Sequence, residues 1–150
     1  YQNRQVIIND ELTPMRAYRH AALRITNRLN ALIEAYYRLR RTSIEIKQLE
    51  IKLSAEEEGL ARELISLDIE QKRVLLPYTQ KLITDAIREI ESLYPVIESM
   101  GKITREQFER EEGAHFAQKL GVAHAIANQA NDLYFKISAR HFLYKGVAHD

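Results

Sequence analysis

The sequence contains no cysteine, and it has only five glycines and three prolines among its 150 residues. Without cysteine the chain can form no disulfide and no thiolate metal site, and it has no cysteine nucleophile. So few glycines and prolines leave little material for the tight turns of a β-sandwich or barrel. No segment approaches the ~20 apolar residues that a membrane-spanning helix needs. These absences predict an all-α, cytoplasmic protein with no membrane contact.

Signatures of catalysis are missing as well. The glycines are all isolated, so the chain has no phosphate-binding loop and no dinucleotide fingerprint. The five histidines have no serine or cysteine nucleophile placed near them by a known signature. We therefore expect a non-enzymatic protein that needs no cofactor.

What the sequence does contain is a regular helical pattern. Thr13-Pro14 suits a helix start, because Thr can cap free N–H groups and Pro gives up an N–H that would have no partner there. From that point a step of seven always meets an apolar residue: Tyr18, Ile25, Leu32, Leu39, Ile46, Leu53, Leu60, Leu67 and Val74. Such a stripe is typical of a coiled coil, in which one seam faces a partner helix.

Two arrangements fit this stripe, either one continuous helix ending near Pro77 or two helices folded back between Ser54 and Gly59. The motif Ser54-Ala55-Glu56-Glu57 matches a capping box, in which serine and glutamate satisfy each other's free backbone donors at a helix start. No large apolar side chain lies within this turn segment. The pattern therefore favours a long antiparallel hairpin.

Charge supports the same hairpin. Residues 14–53 carry nine Lys or Arg against three Glu, whereas residues 55–100 carry five against ten Asp or Glu. Folding at Ser54 would bring Arg24 near Glu89 and Arg28 near Asp85, and each such exposed pair is worth up to about 1 kcal/mol. The apolar pairs expected in this register are Leu53 with Leu60, Ile46 with Leu67 and Leu39 with Val74. Opposite charge on the two arms thus helps to select their register.

The rest of the chain continues the helical pattern. The second arm is expected to pass through Pro77 and Pro95 and to end near Met100. A capping-box motif at Thr104 starts a third helix, which we expect to run to about Leu120 before Gly121 separates it from a fourth. We predict a single domain with an N-terminal arm (1–13), the long hairpin (14–100) and a shorter C-terminal helical hairpin (104–145) at its open end.

One local pattern on the third helix suggests a metal. Glu112 and His115 have the Glu-x-x-His spacing of carboxylate-bridged di-metal bundles, which need two such pairs on facing helices. The sequence has one such pair. We therefore interpret Glu112 and His115 as a hydrogen-bonded pair, with metal binding as an alternative.

The basic first helix suggests a second alternative, nucleic-acid binding. Arginines beside the aromatic pair Tyr36-Tyr37 are the kind of residues that contact phosphates and bases. The competing interpretation is that these arginines face the acidic second helix or water. The candidate residues are Arg16, Arg19, Arg24, Arg28, Arg38, Arg40 and Arg41.

Three segments, 67–73, 80–94 and 104–109, together resemble a pattern found in small uncharacterised coiled-coil proteins of tailed bacteriophages. The resemblance implies a phage or prophage gene. In that setting the chain would be a virion or assembly component, or a small inhibitor of a host protein, located in the host cytoplasm or the virion. The resemblance implies no catalytic or binding residues in this chain.

The leading hypothesis is an interaction or scaffold protein that acts through coiled-coil contacts, with itself as the expected protein partner. The segment around Ile44 and Ile51 has a second apolar face besides the main seam, which suggests contact with more than one neighbour. The C-terminal end is rich in aromatic residues, which are common at interfaces. The predicted interaction surface comprises Ile44, Ile51, Tyr134, Phe135, Phe142 and Tyr144.

Overall fold

The chain forms four α-helices. The computed structural model describes the backbone of residues 2–112 and 115–149 and the side chains of residues 16–101, 104–110 and 115–139. The helices are α1 (Gln2–Ala55), α2 (Gly59–Glu98), α3 (Lys102–Glu112) and α4 (Phe116–His149), and the described backbone contains no strand. Within these ranges, none of the helices combines the length and the apolarity needed to cross a membrane. The all-α prediction is confirmed, although α1 begins at Gln2 and not at Pro14.

The fold-back between α1 and α2 lies where the sequence predicts it, but it is capped differently. Glu58 is the N-cap residue of α2, and its carboxylate accepts hydrogen bonds from the backbone N–H groups of Leu60 (3.2 Å) and Ala61 (2.6 Å). The Ser54 hydroxyl instead donates backwards to the carbonyl oxygens of Glu50 and Ile51 within α1. Ser54 therefore belongs to the end of α1, and the capping-box interpretation was wrong.

The seam between the arms uses the predicted face of α1 but a different face of α2. Ile25, Leu32, Leu39 and Ile46 are buried, as expected from the step of seven. On α2 the predicted seam residues Leu60, Leu67 and Val74 are exposed, so the apolar pairs predicted across the hairpin do not form the core. The residues that face the core also recur every seven positions, but in another phase: Ile69, Leu76, Ile83, Ile90 and Ile97.

One of the two predicted ion pairs forms across the hairpin. Arg24 pairs with Glu89 as expected, whereas Arg28 pairs with the same carboxylate at 2.7 Å and not with Asp85. Lys72 contacts Glu45 at 2.9 Å farther towards the turn. The arms are therefore antiparallel as predicted, but the Arg28–Glu89 and Lys72–Glu45 pairs lie four residues from the predicted register, and α2 turns a different face towards α1.

The C-terminal helices differ from the predicted short hairpin at the open end. The break lies between Glu112 and Phe116, and α4 runs through Gly121 without interruption. Two side-chain hydrogen bonds place α4 along the hairpin: Lys119 donates to Thr26, and the Tyr36 hydroxyl donates to Gln129. Both pairs join residues 93 positions apart, so α4 runs parallel to α1.

Small side chains allow α4 to lie close against the hairpin. Ala123, Ala127 and Ala130 are buried at helical spacing, and Phe116 is among the most deeply buried large residues. The ring of Phe116 stacks on that of Phe108 from α3, with ring centroids 5.8 Å apart. The result is a three-helix bundle formed by α1, α2 and α4, with α3 joined to it through Phe108.

Candidate interaction surfaces

The arginines proposed for nucleic-acid binding do not form one surface. Arg24 and Arg28 are engaged with Glu89 at the α1–α2 junction. Arg38, Arg40 and Arg41 are exposed, but only Arg38 and Arg41 share a side of α1, whereas Arg40 lies on another side. Arg16 and Arg19 are exposed eight and five residues before Arg24. The positive charge is thus partly neutralised and spread around the helix.

The aromatic residues beside these arginines have structural contacts of their own. Tyr36 is half-buried, and its hydroxyl donates to the Gln129 side chain of α4 over 3.1 Å. The Arg40 guanidinium lies 5.7 Å from the ring centre of Tyr36 and 5.6 Å from that of Tyr37. Cation–π contacts of this kind are worth about 0.5–1 kcal/mol at exposed sites. They hold the tyrosines against α1, which reduces the ring surface free to stack on bases.

The Glu112–His115 pair lacks the helical spacing on which the metal hypothesis depends. Glu112 is the last residue of α3, and His115 lies between the helices with a left-handed backbone (φ 45°). The side chain of Glu112 falls outside the described residues, so pairing of these two groups stays a prediction. Across the side chains described, no group of three or more His, Asp or Glu residues is placed to hold a metal ion.

Ile44 and Ile51 lie on an outer face of α1, as the second apolar face in the sequence predicts. They are 55 % and 70 % exposed. Counting back by sevens from Ile44 reaches Tyr37, Asn30 and Leu23, and both Tyr37 and Leu23 are also exposed large apolar side chains. We call Leu23, Tyr37, Ile44 and Ile51 the α1 outer stripe.

The predicted aromatic surface near the C-terminus is divided by the fold. Tyr134 is partly buried and packs against the core, whereas Phe135 is 72 % exposed. The side chains of Phe142 and Tyr144 lie outside the described residues. Phe135 is therefore the residue of this group that the structure places at the surface.

A second outer stripe, on α2, was missed from the sequence because three of its members had been assigned to the internal seam. Its residues are 52–70 % exposed and, apart from the adjacent Val74 and Leu75, recur at spacings of three, four and seven, so they share one side of the helix. The spacing indicates an apolar face on α2, but it could not show that this face points outwards. We call this set the α2 outer stripe: Leu60, Leu64, Leu67, Val74, Leu75, Tyr78 and Leu82.

The recess between α1, α2 and α4 is small. It has a volume of about 150 Å³, with Ile46, Leu133 and Ile137 on its apolar walls and the Arg73–Glu50 ion pair at 2.7 Å beside them. Sites for drug-sized ligands usually measure about 300–1,000 Å³. This recess is therefore too small for a typical organic ligand, whereas the two outer stripes contain eleven of the thirteen exposed large apolar side chains among the described residues.

Comparison with known proteins adds no assignment to these surfaces. The chain matches no protein-family model, no curated protein and no solved structure. Function must therefore be inferred from the surfaces themselves.

Proposed function

We propose that this protein is a non-enzymatic interaction or scaffold protein that works through helix-to-helix contact, with copies of itself as partners. The observation that carries this proposal is the pair of apolar stripes on the outside of a hairpin whose core is already filled. Leu32, Leu39, Ile83 and Ile90 are fully buried between the arms. The outer stripes therefore add nothing to the interior of a single chain.

The energetic argument is that exposed apolar surface of this extent is costly unless a partner covers it. Monomeric soluble proteins seldom expose contiguous apolar patches larger than a few hundred Å². Burial gains roughly 25 cal/mol for each Å² of apolar surface removed from water. A helix whose apolar residues recur every three and four positions is suited to pack against another helix.

The resemblance to coiled-coil proteins of tailed bacteriophages supports a setting for this role. In a phage, a helical protein with outward-facing stripes would serve as a virion or assembly component, or would inhibit a host protein by occupying its helix-binding groove. Both settings use the same chemistry, apolar helix faces that a protein partner covers. The site of action would be the host cytoplasm or the virion.

The mass of the chain in solution tests the proposal. One chain has a mass of 17.5 kDa. Light scattering or sedimentation equilibrium should give at least twice that mass, with dissociation on dilution. The contradicting result would be a monomer at about 200 µM, a concentration at which a dissociation constant well below the millimolar range would be evident.

A further inference from the structure

The α2 outer stripe is arranged symmetrically about one residue, Gln71, which is itself exposed. Leu67 and Leu75 lie four positions from it, Leu64 and Tyr78 lie seven, and Leu60 and Leu82 lie eleven. Distances of four, seven and eleven residues all return to the same side of an α-helix. Apart from Val74, the stripe therefore has the same pattern of apolar positions in both directions along the helix axis.

A two-fold axis through Gln71 would place the symmetric apolar residues of two copies opposite one another. Two identical helices related by such an axis run antiparallel, and each residue faces the one at the same distance on the other side of position 71. Leu60 then faces Leu82 of the second copy, Leu64 faces Tyr78, and Leu67 faces Leu75. Val74 is the one stripe residue without an apolar counterpart, since it would face Asp68.

We propose that two copies of this chain associate through their α2 outer stripes as an antiparallel dimer with its two-fold axis at Gln71. This inference deepens the proposed function and rests on it. It moves the self-contact from Ile44 and Ile51, where the sequence placed it, to α2. The α1 outer stripe is then left for a different contact.

The stripe is large enough for a stable dimer. From Leu60 to Leu82 it extends about 33 Å at the rise of an α-helix. Its seven large side chains, each more than half exposed, present roughly 700 Å² per copy, against ~800 Å² per partner in a standard interface. The contacts of α4 with α2 do not obstruct it, because Gln80 and Glu91, which meet Asn131 and His124 of α4, point away from the stripe.

The charges beside the stripe favour the antiparallel orientation. Glu57 is exposed at the turn, Lys81 is exposed near the far end of the stripe, and Arg88 is exposed beyond that end. With the axis at Gln71, Lys81 and Arg88 of one copy would lie at the end of the interface where α2 of the other copy begins, beside its Glu57. Asp85 of the first copy lies between the two cations and reduces their effect. A parallel pair would place Glu57 against Glu57, and like charges opposed at an interface disfavour that orientation.

The first test replaces the centre of the stripe with charge. Leu67→Glu combined with Leu75→Glu puts four carboxylates into the proposed interface, and we expect the dissociation constant of the dimer to rise at least ~100-fold. The matched control is Ile44→Lys with Ile51→Lys, which changes two equally exposed residues of the α1 outer stripe and should leave the dimer intact. Far-ultraviolet circular dichroism checks that both variants remain helical.

The outcomes separate this inference from the proposed function. A wild-type chain that is monomeric would remove the proposed self-association itself. A wild-type dimer that survives Leu67→Glu with Leu75→Glu, or that is lost in the Ile44→Lys and Ile51→Lys control, would overturn the α2 interface while leaving self-association standing.

The second test determines which residues of the two copies lie close together, and it needs no variant that disrupts the dimer. The chain has no cysteine, so single cysteines can be introduced without background. In the antiparallel dimer Gln71→Cys meets its own copy and should form a disulfide-linked dimer under mild oxidation. Leu64→Cys should not, because two copies of position 64 would lie about 21 Å apart along the axis, and a disulfide needs Cα atoms within ~7 Å.

Mixing the Leu64→Cys and Tyr78→Cys chains should restore cross-linking, since these positions face each other. Efficient self-linking of Leu64→Cys, or none for Gln71→Cys in a chain that is dimeric by mass, would show that the proposed axis is wrong.

Discussion

Arg62 of α2 reaches back across the turn, and its guanidinium donates a 2.7 Å hydrogen bond to the carbonyl oxygen of Leu53 near the end of α1. The same guanidinium nitrogen donates to the carbonyl oxygen of Glu56, also at 2.7 Å. The last carbonyl groups of a helix have no partner within the helix itself. Arg62 therefore satisfies part of the end of α1 from the start of α2 and closes the hairpin at its tip.

Arg62→Ala should lower the free energy of unfolding by about 1 kcal/mol, because water replaces these charge-assisted hydrogen bonds at an exposed site. Chemical denaturation monitored by circular dichroism measures the change. Arg62→Lys is the matched control and should recover part of the loss, since it keeps the charge without the planar group. A variant Arg62→Ala as stable as the wild type would show that the contact adds nothing to the turn.

Glu58→Ala should cost about 0.5–2 kcal/mol, the usual loss on removing an N-cap side chain. Ser54→Ala serves as the comparison, because the Ser54 hydroxyl bonds to carbonyl groups within α1 and does not cap α2. We expect Ser54→Ala to change stability by less than about 0.5 kcal/mol. The reverse order of effects would restore the capping-box interpretation.

Leu39→Ala and Leu67→Ala separate the seam observed in the structure from the seam expected from the step of seven. Leu39 is fully buried, so its truncation leaves a cavity and should cost about 2–5 kcal/mol. Leu67 is 59 % exposed, and in the monomer its truncation should change stability by less than about 0.5 kcal/mol. Both measurements should be made at low protein concentration, so that the proposed dimer is dissociated. Equal losses would place Leu67 in the core.

Nucleic-acid binding should be weak and should depend little on salt, since Arg24 and Arg28 are already paired with Glu89. Fluorescence anisotropy with duplex and single-stranded probes at about 50 and 200 mM salt measures this, because proteins that make many phosphate contacts lose affinity steeply over that range. Tight binding with a steep salt slope would favour the nucleic-acid alternative. In that case Arg38→Ala and Arg41→Ala would locate the contact.

The turn and the pairing of Arg24 with Glu89 could be predicted from the sequence because local features indicate them. Residues 54–59 lack large apolar side chains, and the opposite charges of Arg24 and Glu89 coincide in one alignment of the arms. Composition likewise predicts an all-α fold without reference to any tertiary contact.

The break after α3 was misplaced at Gly121 because a single glycine is tolerated within a helix at a cost of about 1 kcal/mol. Packing of the buried Phe116 and Ala123 on either side of Gly121 can offset this cost.

The residue pattern alone was enough to predict that this protein is helical, to favour a fold-back near Ser54 over one continuous helix, and to predict the pairing of Arg24 with Glu89. It could not predict which side of α2 is buried, because α2 carries two apolar stripes and helical periodicity marks both equally. Glu56, Glu57 and Glu58 interrupt the helix, so the phase of α1 does not continue into α2. Packing against α1 and α4 selects the face with Ile83 and Ile90, and leaves the face with Leu60 and Leu67 exposed.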